Sequence, residues 1–296
     1  MSWTGKSLVV VGIDGSPGSV AALDWAAAEA HRSAARLELV YAEVPTPPAV
    51  GMEAAPVAPP STDSVPPFLV EARQRVVVAW PDVQVGTVAM VGSPASCLIA
   101  RSADADVVVV GAHGRSMVAR LLLGSVSHHV ATRAACTAVV VRGAAHVATA
   151  PVVVGIDDSP TARCALEVAF VQASRRGVPL VVFHAWQDMP ATGYGLWGTP
   201  PGLDDELRAE AEALVESTLQ GWPEKYPDVE LHTRVEHSHP VTAVVEESSH
   251  AQLLVLGAHG RGRFAGMDFG SVPSAAVREA LCPVMVVRPP KDEPPA

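Results

Sequence analysis

The stretch VVVVGAHG at residues 107–114 decides the fold, and it recurs with small changes as LLVLGAHG at residues 253–260. Each stretch opens the spacing G-x2-G-x9-G-S, which ends at Gly124-Ser125 in the first copy and at Gly270-Ser271 in the second. A continuous apolar run is typical of a parallel strand buried on both faces. A glycine loop followed by a helix-like segment suits the binding of a phosphate.

The repeat extends over nearly the whole chain of 296 residues. Residues 92–142 align with residues 238–288 without a gap, and residues 8–14 align with residues 151–157. Each copy has the size of an ordinary domain. We therefore expect two domains of one kind, at residues 1–146 and 147–296.

Strands and helices are expected to alternate in both copies. The apolar runs predict strands at residues 8–13, 37–42, 83–91, 107–110 and 138–142, and then at 152–156, 180–185, 230–236, 253–256 and 284–288. A helix is expected from residue 204 to about residue 222. This order predicts an α/β, Rossmann-like fold of two tandem, doubly wound domains, each with a five-stranded parallel sheet, related by a pseudo-twofold axis.

Composition narrows the classes of function. The net charge of −10 disfavours nucleic acid as a partner. No apolar run approaches the roughly 18 residues of a membrane span, so no membrane partner is expected. The N-terminus lacks a basic region followed by an apolar stretch, and the four cysteines are scattered. We expect a cytoplasmic protein with free thiols and no signal peptide.

The residue types of the first loop suit a nucleotide. Gly111 and Gly114 let the backbone approach an anion closely, and Ser125 begins a helix whose free N–H groups attract phosphate. Arg115 supplies a guanidinium for phosphate, and Asp14, at a strand end, can accept hydrogen bonds from ribose. The second copy offers the same set in Gly257, Gly260, Arg261, Gly270, Ser271 and Asp157.

The loop spacing, together with V-G-I-D-x-S-P at residues 11–17 and 154–160, resembles the universal stress protein family in its tandem two-domain form. The resemblance implies ATP as the ligand, with Mg²⁺ as a candidate companion ion, and adenine near Ala42 and Ala185. The implied nucleotide contacts of the first copy are Gly12, Asp14, Ala42, Gly111, Ala112, His113, Gly114, Arg115, Gly124, Ser125, Val126 and Ser127. Those of the second copy are Gly155, Asp157, Ala185, Asp188, Gly257, Ala258, His259, Gly260, Arg261, Gly262, Arg263, Gly270, Ser271 and Val272.

The second copy departs from the family pattern at two positions. Pro273 stands where the first copy has Ser127, which removes a hydroxyl and an N–H group. Asp268 lies within the second loop and would repel phosphates unless a cation bridges them. We therefore expect the second site to bind ATP more weakly than the first.

The leading hypothesis for function is an ATP-binding regulator of the stress or growth-arrest response, in which bound nucleotide sets conformation or partner choice. The regulatory role implies an unknown protein partner, and the resemblance to family dimers implies a homodimer. AMP or a cyclic nucleotide is a variant of the same hypothesis. No residue set forms a catalytic triad or a metal site, but a slow ATPase or nucleotidyl transferase using Asp14, Asp157 and Mg²⁺ is an alternative. The other alternative is an interaction scaffold that binds no nucleotide.

The tryptophans are expected to be structural. We expect Trp25, Trp80, Trp186 and Trp222 to pack in the core or against helices, and not to stack on a base.

Overall fold

The computed structural model describes residues 7–44, 66–114, 123–142, 148–187, 203–260 and 269–289. Contacts divide the chain into two compact units; the first contains the described residues up to Arg142, and the second contains those from there to Pro289. The predicted boundary between residues 146 and 147 lies outside the described residues.

The first unit alternates strands and helices as predicted. Its strands are β1 (Leu8–Gly12), β2 (Arg36–Glu43), β3 (Val85–Val91), β4 (Val107–Gly111) and β5 (Thr137–Val141). Its helices, among the residues described, are α1 (Pro17–Ser33), α2 (Pro67–Ala79), α3 (Pro94–Arg101) and α4 (Ser125–Arg133).

The second unit follows the same order. Its strands are β6 (Val152–Gly155), β7 (Leu180–Trp186), β8 (Leu231–His237), β9 (Leu253–Gly257) and β10 (Val284–Val287). Its described helices are α5 (Pro160–Arg176), α6 (Leu203–Leu219), α7 (Trp222–Lys225), α8 (Pro240–Glu247) and α9 (Ser271–Glu279).

The predicted single helix up to about residue 222 was wrong at its end. Gly221 has φ of 81° and separates α6 from α7, a backbone conformation that glycine adopts without the steric cost of a side chain.

The strand order makes each sheet a doubly wound one, as predicted. It is β3-β2-β1-β4-β5 in the first unit and β8-β7-β6-β9-β10 in the second, with the neighbouring strands of each unit parallel. In β1, the consecutive residues Val9, Val10 and Val11 are at most 2% exposed. Because successive side chains point to opposite faces, both faces of the sheet are covered.

The helices that follow β1 and β6 begin in the same way. Ser16 caps α1 by accepting a hydrogen bond from the Ser19 N–H at 3.2 Å, and Ser159 caps α5 by accepting one from the Ala162 N–H at 3.2 Å. A proline occupies the first helical position in both, where its missing N–H has no intrahelical partner to lose. These caps fix the turn that carries the predicted aspartate in each unit.

Candidate functional site

The predicted site residues of the first unit lie at a crevice between the carboxyl ends of β1 and β4, which are neighbours in the sheet. Asp14 follows β1, and the Gly111 loop follows β4. A Cβ atom placed on Gly114 would lie 2.8 Å from Oδ2 of Asp14. The carboxylate and the loop glycine are therefore in contact, although about a hundred residues separate them in the sequence.

The second unit repeats this contact with its own residues. β6 and β9 are neighbours, and a Cβ atom on Gly260 would lie 2.6 Å from Oδ2 of Asp157. The structure thus brings the predicted aspartate and the predicted loop together in both units, at the strand ends where open α/β sheets bind ligands.

Both aspartates are oriented by the turn that precedes a helix. Oδ1 of Asp14 accepts a hydrogen bond from the Ser16 N–H at 2.9 Å. Oδ1 of Asp157 accepts from the Ser159 N–H at 3.1 Å and from the Ser159 hydroxyl at 2.5 Å. Because Oδ1 is held by the turn, Oδ2 is the oxygen that lies against the loop glycine.

The first glycine of the first loop allows a close approach of backbone to backbone. A Cβ atom on Gly111 would lie 2.4 Å from the carbonyl oxygen of Gly18, and one on Gly18 would lie 2.2 Å from the carbonyl oxygen of His113. The first turn of α1 therefore packs directly on the loop. This role of Gly18 was not predicted from the sequence, and the aligned position in the second copy is a different residue, Thr161.

Thr161 makes the same approach with a side chain. Its hydroxyl donates a hydrogen bond to the carbonyl oxygen of His259, and a Cβ atom on Gly257 would lie 2.7 Å from Thr161 Oγ1. The two loops are thus held against their helices by different contacts: a glycine–glycine approach in the first unit and a hydroxyl tether in the second.

The end of each loop is tied back to its beginning. The Gly124 N–H donates to the carbonyl oxygen of Ala112 at 2.8 Å, and the Gly270 N–H donates to that of Ala258 at 2.9 Å. Each glycine is the N-cap of the next helix, α4 or α9, and no side chain caps either helix. The first N–H groups of these helices therefore lack intrahelical partners and form an anion-attracting end beside the loop.

The number of such N–H groups differs between the two units. In α4 they belong to Ser125, Val126 and Ser127, whereas in α9 only Ser271 and Val272 supply them, because Pro273 has no N–H. Ser127 is buried, and its hydroxyl donates to the carbonyl oxygen of Gly111 at 2.6 Å. Within the described structure, this hydroxyl therefore fixes the loop to the helix, and its role as a nucleotide contact stays a prediction.

A cavity of about 590 Å³ lies in the second crevice. Its volume falls within the usual range for small-molecule sites, roughly 300–1,000 Å³. The predicted residues that line it are Gly155, Asp157, Ala185, Gly257, His259, Gly260, Gly270, Ser271 and Val272. The apolar part of its wall was not predicted from the sequence; it is formed by Phe183, Trp186, Val244 and Leu256.

Trp186 was expected to pack in the core or against helices, but it does not lie in the core. The residue is half-buried at the end of β7, lines the cavity, and stacks on the ring of His237. Its place as the last residue of a predicted parallel strand was the available signal, since ligands bind beyond the carboxyl ends of such strands.

The histidines of the two loops have different surroundings. Nδ1 of His113 is buried and has no hydrogen-bond partner among the described residues. His259 lines the second cavity, and its carbonyl oxygen accepts the Thr161 hydroxyl. Both side chains therefore lie at the loops, as predicted, but with no hydrogen bond that assigns them a chemical role.

Several predicted site residues lie outside the described residues. These are Arg115, Asp188, Arg261, Gly262 and Arg263, together with Asp268.

Gly12 ends β1, and Ala42 lies on β2, which neighbours β1. A Cβ atom on Gly12 would lie 2.8 Å from Leu98 Cδ1, so a larger residue there would have to displace the end of the Leu98 side chain on α3.

Comparison with known proteins agrees with this architecture. The profile of the universal stress protein family matches residues 8–142 and again residues 149–288. A universal stress protein of Mycolicibacterium smegmatis is 40% identical over 95% of this chain and 97% of its own length. One from Mycobacterium tuberculosis is 38% identical over 95% of this chain and 96% of its own length. The chain therefore belongs to the universal stress protein family and contains two tandem domains of it.

A solved structure supports the fold. The crystal structure of a universal stress protein from Archaeoglobus fulgidus superposes with a TM-score of 0.60 and covers 96% of this chain and 98% of its own. The sequence identity is 19%, so this likeness concerns the fold alone.

The described helices include none with the length and hydrophobicity that a membrane span requires.

Proposed function

We propose that this universal stress protein binds ATP in both crevices and acts as a nucleotide-dependent regulator of the stress or growth-arrest response. The observation that carries the proposal is the contact of Asp14 with Gly114 and of Asp157 with Gly260. Each contact places a carboxylate beside a loop that leads into an uncapped helix end. A hydrogen-bond acceptor for ribose and donors for phosphate thus lie side by side, twice in one chain.

Different residues of each crevice are proposed to contact different parts of the ligand. The uncapped N–H groups at Ser125 and Ser271 face the region expected to hold the phosphates, and the dipole of each helix favours their negative charge. Ala42 and Ala185 are the proposed neighbours of adenine. Mg²⁺ prefers oxygen ligands, and Asp14 and Asp157 are carboxylates beside the proposed phosphate positions, so they fit an ion that accompanies ATP.

A first experiment identifies the nucleotide that the purified protein carries. The protein is denatured, and the released compounds are separated by chromatography and counted per chain. ATP near two per chain supports binding at both crevices, whereas ADP alone favours the slow ATPase. If no nucleotide is released and none binds on addition of ATP, AMP or a cyclic nucleotide, the proposal is wrong and the scaffold hypothesis replaces it.

Matched substitutions assign the bound nucleotide to each crevice. Gly114→Asp and Gly260→Asp each place a new carboxylate against the existing one and beside the proposed phosphates. Like charges at this distance repel each other and repel the ligand. We expect each variant to lose one of two binding events in calorimetric titration with ATP and to keep the other. Loss of both events in either variant would mean that the sites do not bind separately.

The predicted homodimer, the regulatory protein partner and the cytoplasmic location belong to the same proposal. The described cysteines are free thiols, which suits a reducing compartment.

A further inference from the structure

An aromatic pair stands at one end of the second crevice. The rings of Trp186 and His237 are stacked, with centroids 4.1 Å apart and planes inclined by 13°. The two residues are direct partners in the parallel register of β7 and β8, at the carboxyl ends of both strands. The Ser238 N–H donates to the carbonyl oxygen of Trp186 at 2.9 Å and fixes the backbone next to the pair. The indole is therefore held in place by its own unit.

This pair borders the cavity that contains Asp157 and the Gly257 loop. Trp186 and Ala185 both line the cavity, whereas His237 does not. The imidazole supports one face of the indole, and Trp186 belongs to the wall of the cavity. A large flat side chain that is already oriented loses little conformational freedom when a flat ligand packs on it.

The first unit has no aromatic side chain at these two positions. Its aligned register partners at the ends of β2 and β3 are Glu43 and Val91. The backbone is the same, since the Gly92 N–H donates to the carbonyl oxygen of Glu43 at 2.9 Å. The two units therefore share this backbone arrangement and differ in the side chains at these two positions.

We propose that Trp186, supported by His237, stacks on the base of a purine nucleotide in the second site. The inference rests on the proposed nucleotide binding and adds to it a residue that selects for the base. The phosphate end of the same site has lost an N–H group to Pro273. The second site thus recognises its ligand more through the base, and the first site more through the phosphates.

The test uses the Gly114→Asp protein, in which only the second site is expected to bind. Stacking of a base on an aromatic side chain contributes to the binding free energy. Trp186→Leu should therefore weaken the binding of AMP and ATP by roughly fivefold to a hundredfold. Trp186→Phe keeps an aromatic face and should retain most of the affinity. The matched control is Trp80→Leu, because Trp80 also lies against a histidine, His31, with ring centroids 4.5 Å apart and planes inclined by 34°, but in the first unit.

A second readout separates stacking from a structural role. In the Gly114→Asp protein, AMP should quench the tryptophan fluorescence, and this quenching should disappear in Trp186→Leu but persist in Trp80→Leu. Inorganic tripolyphosphate, which has no base, should produce no such quenching. The step from ATP to AMP should also reduce affinity less at the second site than at the first, measured in Gly260→Asp.

The outcomes distinguish this inference from the proposed function. If the Gly114→Asp protein binds AMP and ATP but Trp186→Leu binds them as tightly as Trp80→Leu does, stacking is overturned and nucleotide binding stands. If the Gly114→Asp protein binds no nucleotide while Gly260→Asp does, the second site is not a nucleotide site, and the inference falls with that part of the proposal.

Discussion

Gly114 and Gly260 are not among the described glycines with a positive φ. Backbone conformation therefore does not explain why these two positions are glycine. The nearest atom that a side chain would meet is a carboxylate oxygen, of Asp14 in one case and of Asp157 in the other. The glycines thus leave room beside a charged oxygen. Both members of each pair were predicted as nucleotide contacts, but their distance from each other required the structure.

Removal of the Asp14 carboxylate should weaken ATP binding at the first site through the ribose. In the Gly260→Asp protein, we expect Asp14→Ala to lower the affinity for ATP by about tenfold or more, since hydrogen bonds to charged groups contribute about 1.5–3 kcal/mol. The affinity for 2′,3′-dideoxy-ATP should change little, because that nucleotide lacks the ribose hydroxyls. Calorimetric titration measures both.

Asp24→Ala is the control for this substitution, because Asp24 is an exposed carboxylate on α1 that pairs with Arg75. It should leave both affinities unchanged. An equal loss for ATP and for the dideoxy nucleotide in Asp14→Ala would contradict a ribose contact and indicate damage to the turn that Asp14 caps.

The cysteines should differ in their reactivity at alkaline pH. Burial raises the pKa of Cys282 to about 12 from 9.0, and it also raises the pKa of Cys97. The thiolate is the reactive form, so both groups should resist iodoacetamide at pH 9 in the folded protein. Cys136 and Cys164, which are half-buried, should be labelled first. Mass spectrometry of peptides gives the order, and rapid labelling of Cys282 would contradict it.

The raised pKa of Cys282 also makes the free energy of unfolding depend on pH. A thiol whose pKa is higher in the folded than in the unfolded chain ionises more readily when the chain unfolds. Cys282 therefore contributes no pH dependence well below pH 9, and it lowers the free energy of unfolding as pH rises from about 9 towards 12. Cys282→Ala should reduce that loss, as measured by urea unfolding across this range.

At the scale of elements, the contact of α1 with the first loop is the tightest feature of the site. Gly18 and Gly111 approach so closely that a Cβ atom on either would clash with backbone atoms. Backbone atoms cannot rotate away as a flexible side chain can, so the helix and the strand would have to move apart. The position of α1 and the shape of the loop are therefore linked.

Gly18→Ala should accordingly destabilise the first unit and weaken its nucleotide binding. Overpacking of this kind costs about 1–3 kcal/mol, which urea unfolding can measure. Gly86→Ala is the matched control, since a Cβ atom on Gly86 would meet nothing within 4 Å. There the loss of chain flexibility in the unfolded state should leave the protein unchanged or more stable by up to about 1 kcal/mol. Similar costs for the two substitutions would contradict the packing argument.

The sequence predicted the strands and their parallel pairing well, because valine-rich runs such as residues 107–110 are buried from both sides. Helix ends were harder to predict, since the helical pattern of residues 204–222 continues across Gly221, which divides α6 from α7. The apolar wall of the second cavity was not predictable, because Trp186 and Val244 come together only when β7 and α8 are folded. The place of Trp186 was not predictable for a related reason: its residue type suits a core and a binding surface equally.

For the whole molecule, the duplicated sites should differ in affinity for ATP. Pro273 removes one N–H donor from the second site, so we expect two binding events, with the weaker one lost in Gly260→Asp. Pro273→Ser should restore the donor and raise the ATP affinity of the second site by about fivefold or more, since hydrogen bonds to charged groups are worth more than neutral ones. Titration of this variant in the Gly114→Asp protein isolates the effect.

Ser274→Ala serves as the control, because Ser274 does not line the second cavity and its substitution leaves all N–H groups of the helix start in place. Equal affinities at the two sites of the unmodified chain, or no gain from Pro273→Ser, would mean that the missing N–H does not limit binding at the second site.

Pro273 has a consequence for how the chain would respond to its surroundings. With nucleotide bound as proposed, unequal sites fill one after the other as the nucleotide concentration rises. The chain then passes through an empty, a half-loaded and a fully loaded form, and the half-loaded form prevails between the two dissociation constants. A single pyrrolidine ring at one helix start would thus make a duplicated protein a sensor with two thresholds, which a pair of identical sites could not provide.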